Sequence, residues 1–284
     1  MPELPEVETI ARAMQLGERG YVPLPGHTVI DARLLWERTL AEPTPRTFKK
    51  RIIGQSIQKV NRRGKFIQTH LSEDVLLIHL RMSGDIRIEN SHKNGRSLPL
   101  EKHDRLVLFF DNDLRLVFND TRKFGRAWLV DDPTKVTAKL GPEPLDETFS
   151  TEDFYQRLQK HRRQIKPLLM DQHFLAGMGN IYTDEALHLA KLHPLSPSDQ
   201  ISSKQAANLL KAIRCVLQDG IRLNGASIDW IYRDGSFQDM CKVYQHTGEP
   251  CQTCGTPIQR ILVGQRSTHF CPMCQGLNSQ KNQL

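Results

Sequence analysis

The chain has 284 residues, a length that exceeds one hydrophobic core and suits two domains with a small third module. Hydrophobic residues make up 38% and charged residues 25%, a soluble globular balance that excludes a disordered chain; no apolar run reaches the length of a membrane span. The formal net charge of +7 favours an anionic partner. Basic residues bunch at Lys49-Lys50-Arg51, Arg62-Arg63-Gly64-Lys65 and Lys160-His161-Arg162-Arg163. Such runs are ordinarily solvated faces, but three of them beside a positive total tilt the reading towards phosphate. The start of the chain lacks the basic and apolar regions of a secretory signal, so a cytoplasmic location is expected.

The first residues, Met1-Pro2-Glu3-Leu4-Pro5-Glu6-Val7-Glu8, admit two readings. Trimming of Met1 would leave Pro2 with a free secondary amine, and an α-amino group titrates near neutrality, at roughly 7.7–8.0. Such an amine attacks carbonyl carbons, including the masked aldehyde of a sugar, and forms a Schiff base. Glu3 stands beside it as an acid or base. The plainer reading is a helix start, with Pro5 at the first helical position and Val7, Ile10, Ala11 and Met14 on one face. The two are compatible, since a packed helix would fix the terminus in place.

Gly17 and Gly20 should end that helix, and Pro23-Leu24-Pro25-Gly26 turns into short apolar segments. From about Ser56 to Val130 the chain reads as strands, with turns at Ser72-Glu73-Asp74 and Asp111-Asn112-Asp113, which suggests a β-sandwich or barrel. Gly141-Pro142-Glu143-Pro144 marks a boundary, beyond which the pattern is helical. Ser150 with Asp153 caps a helix carrying Phe154, Leu158 and Ile165; others should begin near Asn180 and Ser203. Leu223 to Cys241 reads as a loop.

Four of the six cysteines form Cys251-x2-Cys254-x16-Cys271-x2-Cys274, two thiolate pairs on tight turns that suit one tetrahedral zinc ion. Four thiolates close the site, so the metal should be structural. Cys215 in an apolar helix reads as packing, and Cys241 has no clear role.

The opening PELPEVE, the all-β half and the terminal zinc ribbon together resemble formamidopyrimidine-DNA glycosylase, the bacterial enzyme family of oxidised-purine repair. Further segments match in the family's order: Arg62-Arg63-Gly64-Lys65, Arg81-Met82-Ser83-Gly84, Glu101-Lys102-His103-Asp104, Thr121-Arg122-Lys123-Phe124-Gly125, Gly141-Pro142-Glu143-Pro144-Leu145, Gly177-Met178-Gly179-Asn180-Ile181-Tyr182 and Gln265-Arg266-Ser267-Thr268-His269-Phe270-Cys271. The resemblance implies an α+β multidomain fold. Residues 1–145 would hold an N-terminal helix and β-sandwich catalytic domain. Residues 146–240 would hold a helix–two-turns–helix domain with a lesion-capping loop, and 241–284 a zinc-ribbon hairpin.

It also implies roles. Pro2 would attack C1′ of the damaged nucleotide, Glu3 would manage protons at the ribose, and Lys65 would assist β-elimination at the lesion phosphate. Glu6 would line the same pocket. Met82, Arg122 and Phe124 would fill the gap left by the extruded nucleotide, while His103, Asn180 and Arg266 would hold phosphates, Arg266 also assisting the last elimination. The implied partner is double-stranded DNA containing an oxidised purine such as 8-oxoguanine, bound by a monomer with one structural zinc ion.

Two segments depart from the family pattern. Tyr21 to Thr47 is longer than in the shortest members, and Asn224-Gly225-Ala226-Ser227 replaces a paired-glycine version at the start of the capping loop. The competing readings are an endonuclease VIII-type glycosylase for oxidised pyrimidines and a non-catalytic zinc-ribbon DNA-binding protein. Leu4 in Glu3-Leu4-Pro5, with Arg81-Met82-Ser83-Gly84, points to the purine branch.

Overall fold

The computed structural model describes residues 1–93, 96–227 and 235–277. Two compact units emerge, one comprising Met1–Ala138 and the other Lys139–Ala226 with the described residues from Gly235.

In the first unit, helix α1 (Leu4–Leu16) begins one residue earlier than predicted, with Glu3 as N-cap and Pro5 second. The reason is a reciprocal capping box. The Glu6 carboxylate accepts the Glu3 N–H at 2.7 Å, and the Glu3 side chain accepts the Glu6 N–H. Proline in a first turn forfeits no intrahelical bond. The helix stops at Gly17, whose φ of 76° is left-handed and whose missing Cβ would sit 2.6 Å from the Pro23 ring.

The next stretch holds strands β1 (Val29–Leu34) and β2 (Leu40–Glu42) and an unforeseen helix, α2 (Pro45–Ile52). Thr44 caps α2, Pro45 opens it, and only Phe48 and Ile52 turn inward, too few for a helical period to register in the sequence. The basic run at its end is solvated and dipole-complementing: Lys49 pairs with Asp31 at 2.9 Å and Arg51 with Asp74.

The strands follow as β3 (Ile57–Arg63), β4 (Phe66–Leu71), β5 (Val75–His79), β6 (Gly84–Asn90), a short ribbon of β7 (His92–Lys93) and β8 (Arg96–Ser97), β9 (Asp104–Phe110), β10 (Leu114–Asp120) and β11 (Arg126–Val130). They form a four-stranded sheet in the order β1-β9-β10-β6 and a five-stranded sheet in the order β2-β11-β5-β4-β3. Ile67 and Ile78 from the second sheet share one core with Leu106, Leu116 and Phe118 from the first. Val7, Ile10 and Met14 of α1 join that core, and α1 packs on β3 and β4. This is the β-sandwich expected from short strands with regular turns. A one-turn helix, α3 (Thr134–Thr137), follows.

In the second unit, α4 (Thr151–Gln159) starts with the predicted Ser150–Asp153 box, but Ile165 does not continue it. A separate helix, α5 (Ile165–Met170), begins there, with Pro167 in its first turn, where proline is tolerated and an uninterrupted helix is not. Helices α6 (Asn180–Leu189) and α7 (Ser203–Arg222) stand where predicted, the latter capped by a reciprocal Ser202–Gln205 box. Strands β12 (Gln259–Val263) and β13 (Arg266–Phe270) form the ribbon hairpin. Cys215 is not a packing residue; it is exposed on α7, 3.7 Å from Asp219, while Leu209, Leu210, Ile213 and Leu217 form the buried face. Cys241 is buried. Residues 228–234 of the expected capping loop lie outside the described residues. Among the described residues no helix is long and apolar enough to cross a membrane.

Candidate active site and nucleic-acid interface

The start of α1 and the β3–β4 turn bring together chemistry-bearing groups of the first unit. Pro2 is buried, and Glu3 is 3% exposed. Lys65 sits beside Gly64 in the turn and is only 4% exposed, where a strand-end lysine would ordinarily reach water. Arg62 stitches helix to turn, its Nε donating to Glu8 at 2.9 Å and its Nη1 to the Gly64 carbonyl at 2.9 Å. Burial would raise the Glu8 carboxyl, but Arg62 and Arg12 outweigh it and hold the group below its ordinary value. Glu6 spends one oxygen on the Glu3 N–H, so it fixes the backbone beside Pro2.

His79 closes this region from β5, paired with Phe66 in the ladder and edge-on to its ring at 4.8 Å. Burial, then the charges of Arg81 and Lys65, lower its pKa to about 3. The neutral ring accepts the Arg81 N–H on Nδ1 at 3.1 Å, which shapes the turn carrying Met82. An unfolded chain would take up a proton near pH 6.5 and the folded one would not. Stability is therefore complete above that pH and falls as pH drops towards 3, by up to about 1.4 kcal/mol per unit. Melting curves between pH 7 and 5 should show this slope in the native chain and a flatter one in His79→Phe; equal slopes would remove His79 as its source.

Four more predicted residues lie at one end of the four-stranded sheet. Asp120 closes β10 opposite Gly84 at the head of β6, so the Arg81–Ser83 turn and the Thr121–Gly125 loop leave adjacent strand ends. Phe124 is 51% exposed, which removes it from the core, and the Arg122 guanidinium lies 5.1 Å from its ring centre. Met82 is half-buried. His103 stands beside them; its carbonyl accepts the Asp120 N–H at 2.9 Å, and Arg105 reaches its Nδ1 at 3.2 Å.

In the second unit, Asn180 is the first residue of α6. Its side-chain amide donates to the Ser267 carbonyl at 3.1 Å, so one of its protons ties the helix to β13. Gly177 and Gln172 shape the approach: the Gly177 N–H donates to Gln172 Oε1 at 2.9 Å, and Gln172 Nε2 donates to the Met178 carbonyl at 2.8 Å. Arg266 is exposed at the start of β13, after a two-residue turn in which Gly264 and Gln265 both have positive φ.

Beneath the hairpin is an ion pair. Lys166 and Asp184 are both fully buried and meet at 2.6 Å. Lys166 also donates to the Ser267 carbonyl at 3.0 Å, and Asp184 accepts the His269 N–H at 2.9 Å. Filled hydrogen-bonding capacity is what makes such burial tolerable. One residue on, Glu185 accepts the N–H groups of Lys242, Val243 and Tyr244 at 2.8–3.0 Å. Burial raises its pKa, and those three bonds oppose the rise.

The ligand sulfurs of Cys251, Cys254, Cys271 and Cys274 lie within 4.8 Å of one another. Individual separations of 3.4, 3.5 and 3.9 Å bracket the roughly 3.8 Å that a tetrahedron of 2.3 Å zinc–sulfur bonds requires. The Thr253 N–H points at the Cys251 sulfur at 3.5 Å and the Cys274 N–H at the Cys271 sulfur at 3.4 Å, as thiolates would need. Gln275 anchors the second knuckle, accepting the Cys271 N–H and donating to the Leu192 carbonyl. The donor set fits a zinc ion.

Three family models match in sequence order. They are the formamidopyrimidine-DNA glycosylase N-terminal domain over residues 1–127, the helix–two-turns–helix domain of the same enzymes over 140–231, and a zinc finger found in these enzymes and isoleucyl-tRNA synthetase over 248–276. The chain belongs to the formamidopyrimidine-DNA glycosylase family. Curated family members from Protochlamydia amoebophila and Herpetosiphon aurantiacus are 43% and 42% identical, over 97% of this chain and 99–100% of theirs. Among solved structures, MutM bound to DNA containing carbocyclic 8-oxo-G superposes with a TM-score of 0.87 at 37% identity, covering 97% of this chain and all of that one. A point mutant of the Lactococcus lactis enzyme bound to DNA containing Fapy-dG gives the same values.

Pro2, Glu3 and Glu6 thus stand at the start of α1 and Lys65 in the β3–β4 turn that Arg62 ties to Glu8 of the same helix; Met82, His103, Arg122 and Phe124 lie at one sheet end, while Asn180 and Arg266 share the Ser267 neighbourhood. Sequence reasoning missed His79, Lys166, Asp184 and Glu185. For the α6 pair a signal existed: Thr183-Asp184-Glu185 interrupts an otherwise apolar helix immediately after a glycine-opened start.

Proposed function

We propose that this chain is a bifunctional DNA glycosylase and AP lyase of base excision repair that excises oxidised purines from duplex DNA, acting as a cytoplasmic monomer. The observation that carries the reading is the burial of Pro2 and Glu3 at the start of α1, and of Lys65 in the β3–β4 turn that Arg62 ties to that helix, in a chain of this family. The solved complexes of its relatives with 8-oxo-G and Fapy-dG DNA support the substrate class.

With Met1 removed, the Pro2 nitrogen attacks C1′, and the C1′–N9 bond breaks with its electron pair leaving on the base, which takes up a proton. Glu3 acts on the ribose oxygen as the ring opens. The resulting iminium acidifies the C2′ proton. Its loss expels the 3′ phosphate, and a second elimination expels the 5′ phosphate. Lys65 serves the first of these steps and Arg266 the second. Extruding the nucleotide costs a few kcal/mol, which Met82, Arg122 and Phe124 offset by filling the gap and holding the orphaned base. His103, Asn180 and Arg266 grip phosphates, and the zinc ion of Cys251, Cys254, Cys271 and Cys274 holds the hairpin that carries Arg266. The segments 1–145, 146–240 and 241–284 divide these tasks.

Borohydride trapping tests the reading. A covalent adduct with an 8-oxoguanine duplex is expected. No adduct with any lesion would leave a binding protein, and faster trapping on an oxidised pyrimidine would leave an endonuclease VIII-type enzyme. For the phosphate role, Arg266→Ala should weaken duplex binding and flatten the slope of log affinity against log salt by about 0.9. An unchanged slope would end that assignment.

A further inference from the structure

The side chain of Asp120 is 1% exposed and turned to the two loops that carry the gap-filling residues. One carboxylate oxygen accepts the Ser83 hydroxyl, next to Met82, and also the Arg122 N–H at 3.1 Å. The other accepts the Gly125 N–H at 2.7 Å, next to Phe124. The Arg122 N–H is shared with Ser83 Oγ, also at 3.1 Å, so the two loops bond each other as well as the carboxylate.

Asp120 is itself held from behind. The Arg105 Nε donates to its carbonyl at 2.7 Å, and its own N–H goes to the His103 carbonyl at 2.9 Å. The surroundings leave the loops little freedom. A Cβ on Gly84 would lie 2.5 Å from the Leu80 carbonyl oxygen and 2.8 Å from the Phe118 ring. On Gly125 a Cβ would lie 2.4 Å from the same ring and 3.1 Å from the Asp120 carboxylate.

We infer that Asp120 is a positioning residue that couples the two loops, so that Met82, Arg122 and Phe124 enter the base stack as one rigid unit. The inference rests on the gap-filling role proposed for those three side chains. A carboxylate suits the task because it accepts several hydrogen bonds at once, and bonds to a charged acceptor are the strong ones. No neutral side chain of this size offers the same set of acceptors. In Asp120→Asn one oxygen becomes a donor, so an arm of the clamp is lost while the shape is kept.

The test uses a duplex containing an uncleavable abasic-site analogue, with 2-aminopurine beside the orphaned base. Insertion unstacks the fluorophore and raises its emission. Asp120→Asn and Ser83→Ala should each slow or shrink the rise by roughly tenfold, as loss of one charge-assisted hydrogen bond implies. The double variant should be little worse than either single one, since both break one linkage. Wild-type fluorescence in both single variants would overturn the clamp, as would full additivity in the double variant. If Asp120→Asn fails to fold, Ser83→Ala carries the test, because it removes one arm and no buried charge. A Met82→Ala, Arg122→Ala, Phe124→Ala triple variant separates the two levels. If it silences the signal while the single variants do not, only the clamp falls; if it too behaves as wild type, the gap-filling reading falls and the clamp with it.

Discussion

Leaving Met1 in place should abolish borohydride trapping, and Pro2→Gly should cut base release by at least roughly a hundredfold, the scale of a misplaced reacting atom. A peptide nitrogen has its lone pair delocalised into the carbonyl and does not attack C1′. Glycine retains an amine but loses the ring, which in the folded chain is buried ahead of α1. The reciprocal bonds between Glu3 and Glu6 then still fix the helix start, but the residue ahead of Glu3 is no longer held by its ring. Lesion-duplex affinity should survive both changes, because phosphate contacts dominate it. Single-turnover base release with intact-mass measurement decides the matter. Unchanged release by a protein carrying Met1 would refute Pro2 as nucleophile.

The second large effect should come from the metal. The ribbon's own core is Val243, Cys251, Ile258 and Cys271, with Cys274 packed against it. At about 1.5–3 kcal/mol for a fully buried side chain, so small a cluster cannot offset the ordering of its loops. A structural zinc ion contributes about 10–16 kcal/mol to such a module. Cys254→Ser, or exhaustive chelation, should therefore unravel the hairpin while the helices persist, since Phe154, Leu209 and Ile213 are buried outside it. Far-UV circular dichroism should keep its helical signal while duplex affinity drops roughly a hundredfold or more. Retained affinity in a zinc-free protein would mean that the hairpin needs no metal to present Arg266.

Much of this molecule was legible where a local pattern has a local cause. Short strands between regular turns marked the sandwich, the Ser150 cap sits at a fixed offset from Asp153, and cysteine spacing alone gave the ribbon. α2 was not legible, because two inward residues in eight make no period. Buried polar groups were missed for a different reason. Lys166, Asp184 and Glu185 were not singled out, and their burial depends on acceptors and donors far along the chain. Asp120 was not singled out either; its partners, Ser83 and Gly125, lie in separate loops. Family resemblance supplied the roles of Lys65 and Arg266, which residue type and spacing alone leave ambiguous. Each of the basic runs proved to have an internal partner, with Arg62 on Glu8, Arg51 on Asp74 and Arg163 on Asp171.

Helix α6 reaches the terminal module with three successive grips: Asn180 on Ser267, Asp184 on His269, and Glu185 on the backbone of 242–244. It works as a key cut for one lock. Zinc ribbons swapped between homologues should seat poorly unless this helix travels with them, and deletion of a single α6 residue would rotate every later tooth by about 100°. Natural drift in the two segments is therefore constrained to proceed jointly.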